Sequence, residues 1–384
     1  MERETGRERI ARFNGRPVGA GHPVYVIGEV GSNHNADLGL ARGLVEAAAE
    51  AGADAVKFQL FRADWLYPAN CGVVETPMGN VDFFGILERY ALPPAWCAEL
   101  AEYAGRLGIQ FLCTAFDESL LERVAALNVP AVKIASPELN HLPLLRSAAR
   151  LRRPLICSTG LSTLGQVEES LEAIRSVWPE PEVVLLQCVS GYPTPPDQSN
   201  LAVLKTLARA FGVPVGLSDH TIDYECVPMT MAAVGGCLIE KHFTLSRTLE
   251  GPDHSFALEP PELGQLVANI RAVESVEPGK RLEFVAERCG AGAVDAVLGH
   301  GRKEIMPAEA PLYPNDKRSI HVLRDLEAGT ALSAANLRIL RSERNLAPGL
   351  HPRHWETVLG ARTTRAIAAG AGLQWEDLLQ RQET

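Results

Sequence analysis

The chain has 384 residues, 46% apolar and 22% charged, which excludes global disorder and leaves room for one large domain plus a smaller one. A net charge of −10 argues against nucleic acid as the main partner, since a phosphate backbone needs Lys/Arg neutralisation, yet leaves an anionic small substrate open. Eight cysteines show no C-x-x-C spacing and read as small hydrophobes in a reducing cytoplasm. No apolar run approaches the ~18 residues of a membrane helix, and the charged start, Met1 to Arg16, lacks signal character, so no membrane is expected as a partner.

The first predicted strand is Val24–Val30, an apolar run without alternation, as in a strand buried on both faces. It ends in Glu29, Asn33, His34 and Asn35. Leu38 to Ala51 reads as a helix, and Ala53–Gln59 as a second strand delivering Lys57 and Gln59. A polar loop containing Asn80 follows, then a helix over Pro93 to Leu107 with proline in its first turn. Strand three, Ile109–Thr114, ends in Thr114. Strand four, Ala131–Ser136, carries Lys133 and opens into Glu138.

The unit goes on repeating. Strands five to eight are predicted at Pro154–Gly160, Val183–Cys188, Val213–His220 and Cys237–Thr244, with helical segments at 118–127, 141–150, 162–177, 199–210 and 224–234. Eight strands alternating with helices predict an α/β fold, a (β/α)₈ TIM barrel whose strand C-termini share one face. An open doubly wound sheet is the rival, but G-x-G-x-x-G is missing after strand one. A closing helix is expected over Pro260 to Val276. The resulting division is a barrel over 1–283, a linker over 284–315 and a small β-rich domain over 316–384, with strand-like runs at Ser319–Val322, Leu337–Leu340 and Arg365–Ile367.

Chemistry concentrates on the barrel mouth. His220 and His242 end neighbouring strands and offer imidazoles to a divalent metal, with Glu240 and Asp253 completing the shell or orienting the rings. Lys57, Lys133 and Lys241, with Thr114, Ser136 and Ser218, gather donors for phosphate and carboxylate oxygens. Glu138 and Glu29 compete for proton transfer. A deep lysine could instead form a Schiff base, making a metal-free aldolase.

These residues stand in motifs: Glu29-Val-Gly-Ser-Asn-His-Asn35, Lys57-Phe-Gln59, Lys133-Ile-Ala-Ser-Pro-Glu138, Ser158-Thr-Gly160, Tyr192-Pro-Thr-Pro195, Gly216-Leu-Ser-Asp-His-Thr221, Glu240-Lys-His-Phe-Thr244 and Gly251-Pro-Asp-His254. In this order they resemble the sialic acid synthase family, which joins phosphoenolpyruvate to an N-acetylated hexosamine to make a nine-carbon 2-keto-3-deoxy acid. Leu298-Gly-His-Gly-Arg-Lys303 and Lys317-Arg-Ser319 resemble the family's linker, and the residues from about 320 on its antifreeze-like (SAF) domain.

The resemblance implies that His220 and His242 bind Mn²⁺ or a similar ion such as Mg²⁺ or Co²⁺. It implies that Lys57, Thr114, Lys133, Ser136, Ser190 and Ser218 hold phosphoenolpyruvate. Glu29, Gln59, Asn80, Glu138, Tyr192 and Asp253 would lie around the amino sugar and the metal, with Glu138 moving protons. An arginine of the small domain, Arg341 with Arg344 as rival, would touch the sugar's N-acetyl group, and that domain would cap the other subunit of a swapped homodimer. The sixth strand ends in Gln187–Cys188 where the family usually has His before Cys, and Ser190 stands where some members carry Asn. Together with a stretched Arg341-Ser-Glu-Arg344 cap, these departures leave open a related synthase acting on a different aldose in a secondary-metabolite pathway.

Overall fold

The computed structural model describes residues 10–76, 79–343 and 345–379. Eight parallel strands close into a barrel: β1 (Tyr25–Gly31), β2 (Ala55–Leu60), β3 (Gln110–Ala115), β4 (Val132–Ile134), β5 (Leu155–Ser158), β6 (Val183–Cys188), β7 (Val215–Asp219) and β8 (Leu238–His242). β8 pairs with β1, and every other neighbouring pair is consecutive in sequence. The predicted (β/α)₈ barrel is the observed one, and each predicted strand overlaps its observed counterpart, with ends that differ by at most two residues.

Alternation along these strands explains how the site is built. Tyr25 and Ile27 of β1, Ala55 of β2, Leu112 of β3, Ile156 of β5, Val184 and Leu186 of β6 and Leu238 of β8 form one buried cluster inside the barrel. The next inward positions upward are polar: Glu29, Lys57, Thr114, Ser158 and Glu240, all buried. The intervening residues, among them Val26, Val56, Phe58, Cys113 and Ile239, pack against the surrounding helices. The same period turns Lys241 outward, where its ammonium bonds Asp219 Oδ2 at 2.8 Å and the Thr221 carbonyl. Lys241 therefore does not face the mouth, contrary to the sequence expectation, because a strand cannot send neighbouring residues to one side.

The lower end is plugged by a hairpin of Ala11–Phe13 and Arg16–Val18, which the charged start of the chain concealed. Ala11, Phe13 and Val18 join the inner cluster, Phe13 meeting Tyr25 edge-on at 5.1 Å. Helices follow the predicted segments; Asp37 and Asp117 cap two of them by accepting backbone N–H bonds. The loop after β2 holds a short helix, Ala63–Leu66, and a hairpin of Val73–Thr76 with Gly79–Asp82 rather than irregular chain.

Residues 284–315 are likewise not a plain linker. Helices Arg281–Cys289 and Ala291–Leu298 bury Val285, Val294 and Val297 in the helical shell of the barrel. Only from Gly299 does the chain run without regular structure, before the turn of helix Tyr313–Asp316. The small domain pairs β9 (Arg318–Val322) with β10 (Leu337–Arg341) antiparallel, around Ile320, Val322, Leu326, Leu337, Ile339, Val358 and Leu373. Its third expected strand reduces to a single bridge, Leu326 with Ile367. Among the described residues no helix is long and apolar enough to cross a membrane.

Candidate active site

Strand register brings Glu29 beside Lys57 and His242, Thr114 beside Lys133, and Ser218 beside Glu240. The result is a buried chain of alternating charge. Lys57 Nζ lies 2.6 Å from Glu29 Oε2, 2.9 Å from Thr114 Oγ1 and 3.6 Å from Glu240 Oε1. Lys133 Nζ lies 3.6 Å from the same Glu240 oxygen, which also accepts from Ser218 Oγ at 3.4 Å. Gln59 donates to Glu29 Oε1 at 2.7 Å. Glu240, expected near the metal, instead stands between two lysines.

Burial shapes these groups unequally. It pushes the Glu29 carboxyl above its ordinary range, with Lys57 opposing. Burial also disfavours both ammonium groups, but Glu240 and Glu29 together raise Lys57, whereas Lys133 stays below the lysine range with weaker compensation from Glu240. Glu240 is held low because Lys133 and Lys57 outweigh its burial. The mouth thus offers a firm cation, a softer one and a carboxyl that keeps its proton more readily than usual.

Across the mouth, His220 and His242 stand with ring centroids 5.5 Å apart. His220 Nδ1 lies 2.8 Å from the Val189 carbonyl; that oxygen can only accept, so Nδ1 carries a hydrogen and Nε2 is the nitrogen left for a ligand. Burial of this ring is outweighed by Cys188 and that carbonyl, which raise its pKa. His242 Nδ1 is buried without a partner, and burial with the neighbouring His220 keeps the ring neutral. At the end of β1, Gly31 adopts a left-handed φ of +56°, and a Cβ there would lie 2.6 Å from Asp253 Oδ2 and 3.4 Å from His242 Nδ1. Tyr192, half exposed, lays its ring 4.3 Å from that of His220.

Among the described residues no three His, Cys, Asp or Glu side chains stand close enough to enclose an ion by themselves. Two imidazoles, that of His242 kept neutral and orphaned by burial, nonetheless suit a divalent ion whose other positions are filled by oxygens from outside the chain.

Ser136 Oγ accepts from Gly160 N at 3.0 Å, while Ser158 Oγ and Ser190 Oγ are buried without partners. Beside them opens a cavity of about 240 Å³, polar at Gln59, Asp253, His242 and Arg341 and apolar along Phe83, Ile86, Leu87 and Tyr90. Asn80 lies on the nearby strand Gly79–Asp82, paired with Glu75. Arg344 lies outside the described residues.

Glu138, completely buried, occupies a 3₁₀ turn (Ser136–Asn140) below β9. Its Oε1 accepts from Arg341 Nη2 at 2.6 Å, Arg341 Nε at 3.1 Å and Arg318 Nε at 3.1 Å. Arg318 spends its other donors on the carbonyls of Trp65, Ile339 and Phe116. Burial would raise the Glu138 carboxyl, but Arg341 and Arg318 hold it below the ordinary range. Such a carboxylate is a fixed anion, poorly suited to the proton transfer expected of it. Sequence reasoning missed Arg318, whose partners are all distant in the chain. Both arginines come from the small domain, which thereby meets the barrel at Glu138. Gln187 faces away from the mouth, donating to the Ser199 carbonyl at 3.1 Å.

Comparison with known proteins agrees with this geometry. The NeuB family model matches residues 44–281 and the SAF domain model residues 317–379. The chain is 38% identical to the spore coat polysaccharide biosynthesis protein SpsE of Bacillus subtilis, covering 95% of this chain and 96% of that one. The crystal structure of that protein superposes with a TM-score of 0.83 over 97% of this chain and 100% of that one, at 36% identity. It is 35% identical to the N,N'-diacetyllegionaminic acid synthase of Legionella pneumophila, over 96% and 98% of the two chains. With the barrel, the cap and the order of site motifs all accounted for, the chain belongs to the NeuB family of sialic-acid-type synthases, C–C bond-forming transferases that condense phosphoenolpyruvate with an amino sugar.

Proposed function

We propose that this enzyme condenses phosphoenolpyruvate and water with the open-chain aldehyde of an N-acetylated hexosamine, N-acetylmannosamine or a 2,4-diacetamido-trideoxyhexose, giving a nine-carbon 2-keto-3-deoxy acid and phosphate. The observation that carries this reading is the buried Glu29–Lys57–Glu240–Lys133 array beside two unpartnered serine hydroxyls, opposite the paired imidazoles. Lys57 and Lys133, with Thr114, Ser136, Ser190 and Ser218, hold the carboxylate and phosphate of the three-carbon substrate. The sugar lies in the adjoining cavity between Tyr192, Gln59, Asp253 and Arg341, and Asn80 is kept as a further contact on the family resemblance. Glu138 Oε2, buried and unpartnered, is the acceptor left for a sugar hydroxyl.

Carbon three of phosphoenolpyruvate attacks the aldehyde carbon, and the aldehyde oxygen takes a proton. Glu29, whose carboxyl is raised by burial, is the donor, rather than the clamped Glu138. Water then adds to carbon two and returns a proton to Glu29. The tetrahedral intermediate collapses by cleaving the bond between carbon two and the phosphate oxygen, the hydroxyl proton leaving with phosphate. His220 and His242 would hold Mn²⁺, Mg²⁺ or Co²⁺, which when bound supplies Lewis-acid polarisation of the aldehyde.

The working unit proposed is a cytoplasmic homodimer, since the irregular run after Gly299 would let the small domain reach its own or a partner's barrel with the same Glu138–Arg341 pairing. Light scattering reports the mass. The reaction is tested by phosphate release from phosphoenolpyruvate with Mn²⁺ across these sugars, with mass spectrometry of the product. No release with any of them, from folded protein, would refute the assignment of the sugar class.

A further inference from the structure

The segment joining the barrel to the small domain carries two buried charges that the reaction above does not use. Glu309 is completely buried, its Oε2 accepting from Leu161 N at 2.8 Å and Ser190 N at 2.9 Å, and its Oε1 from Met306 N at 3.2 Å. One carboxylate thereby ties the loops that follow β5 and β6. Lys303 is 8% exposed, and its ammonium has no hydrogen-bond partner. The acidic groups it feels are Glu309 and the Cys188 thiol, which only partly offset its burial.

Cys188 borders a small space in the same region. A Cβ at Gly160 would lie 2.6 Å from Ser190 Oγ, 2.9 Å from Ser136 Oγ and 3.1 Å from Cys188 Sγ, so these groups converge on one small space. Ser190 Oγ there is unpartnered as well. A buried cation without a partner is costly, and it sits in the segment that Glu309 ties to the Ser190 backbone, where two hydroxyls converge; that combination suits a bound oxyanion better than a structural ion pair.

We propose that Lys303 is a further substrate-binding residue, its ammonium completing a phosphate cradle with Ser136 and Ser190, and that Glu309 positions that cradle. Resting on the phosphoenolpyruvate reading above, this assigns the inter-domain segment to the phosphate end of the three-carbon substrate. The phosphate could be that of phosphoenolpyruvate or the free product ion.

The test uses the full chain as wild type, Lys303→Met and Lys303→Arg, titrated calorimetrically with phosphoenolpyruvate, inorganic phosphate and pyruvate, with melting temperatures in parallel. Lys303→Met should bind phosphoenolpyruvate and phosphate about tenfold or more weakly. It should leave pyruvate unaffected and melt no lower than wild type without ligand, because an unpaired buried charge has been removed. Lys303→Arg should recover part of the affinity. Loss with phosphoenolpyruvate alone would place that substrate, and not the free ion, in the cradle. Unchanged affinity for both ligands in Lys303→Met, or no binding of either by wild type, would overturn the proposal. Lys303-dependent phosphate binding in a protein that turns over none of the sugars would refute the proposed reaction and leave this site standing.

Discussion

Arg341, the last residue of β10, donates two hydrogen bonds to a single oxygen of Glu138, a carboxylate with no exposure to solvent, across the boundary between the two domains. Removing one partner of such a pair strands the other, at a cost of about 3–5 kcal/mol. Glu138→Gln should therefore lower the urea midpoint markedly and speed proteolysis in the run after Gly299. Arg341→Ala should raise KM for the sugar more than KM for phosphoenolpyruvate, because its guanidinium lines the cavity and not the lysine array.

Proton transfer offers a second discrimination. If Glu29 serves the aldehyde oxygen, Glu29→Gln keeps the bond to Gln59 within reach but should lower kcat by about 10²–10⁴ with little change in affinity for phosphoenolpyruvate. Steady-state kinetics separate the two effects. An equal loss in kcat and in binding would return Glu29 to a purely electrostatic role beside Lys57.

The imidazole pair makes a third. His242 Nδ1 has no partner to lose, so His242→Ala should retain far-UV dichroism and melt near wild type while Mn²⁺ uptake, read by electron paramagnetic resonance, disappears. Phosphate release should disappear with it. Borohydride treatment with substrate should trap no imine on Lys57 or Lys133; a covalent adduct would favour the aldolase chemistry that a low-pKa lysine permits.

Acid sensitivity should begin above the carboxylate range. Burial lowers His34 and His321 to about 4 and His141 to about 3. These rings fold neutral, so below the unfolded value of about 6.5 the unfolded chain binds protons that the native one refuses. Stability should fall as pH drops from 6.5 to about 4, each ring contributing up to about 1.4 kcal/mol per pH unit. Asp316, raised to about 6 by burial, works oppositely below that pH but stands against three histidines. Urea midpoints at pH 7 and 5 measure the slope, and His321→Gln should make it shallower.

Gln187 bears on sugar choice by contrast. The departure at strand six looked informative in the sequence, yet this side chain turns from the mouth and holds the Ser199 carbonyl. Gln187→His should leave the ratio of kcat/KM between any two sugars within about twofold, since a change in discrimination needs a changed contact in the sugar pocket.

The barrel was legible because its strands are short apolar runs punctuated by polar ends, and that pattern alone set Glu29, Lys57, Lys133, His220 and His242 on one rim. What escaped was whatever depends on side-chain direction or distant pairing. Lys241 turns outward by strand alternation. Glu240 stands between two lysines, and Glu138 is fixed by arginines roughly two hundred residues away. The helices after Arg281 hid in a stretch rich in Gly and charge, and their apolar faces become evident only against the barrel's shell. Arg318 and Lys303 stand only within motifs that read as linker and point to no role, since each sits in an irregular or strand-like run whose burial is imposed from elsewhere.

The sugar cavity has walls of two origins: Gln59, His242 and the loops above the strands belong to the barrel, whereas Arg341 comes from a unit with its own apolar core. Changes that retune which sugar is accepted can therefore accumulate in the smaller unit without disturbing the residues assigned to the three-carbon partner. A lineage could diversify the sugars it accepts by drifting in a cap of some sixty residues while its reactive floor stays the same.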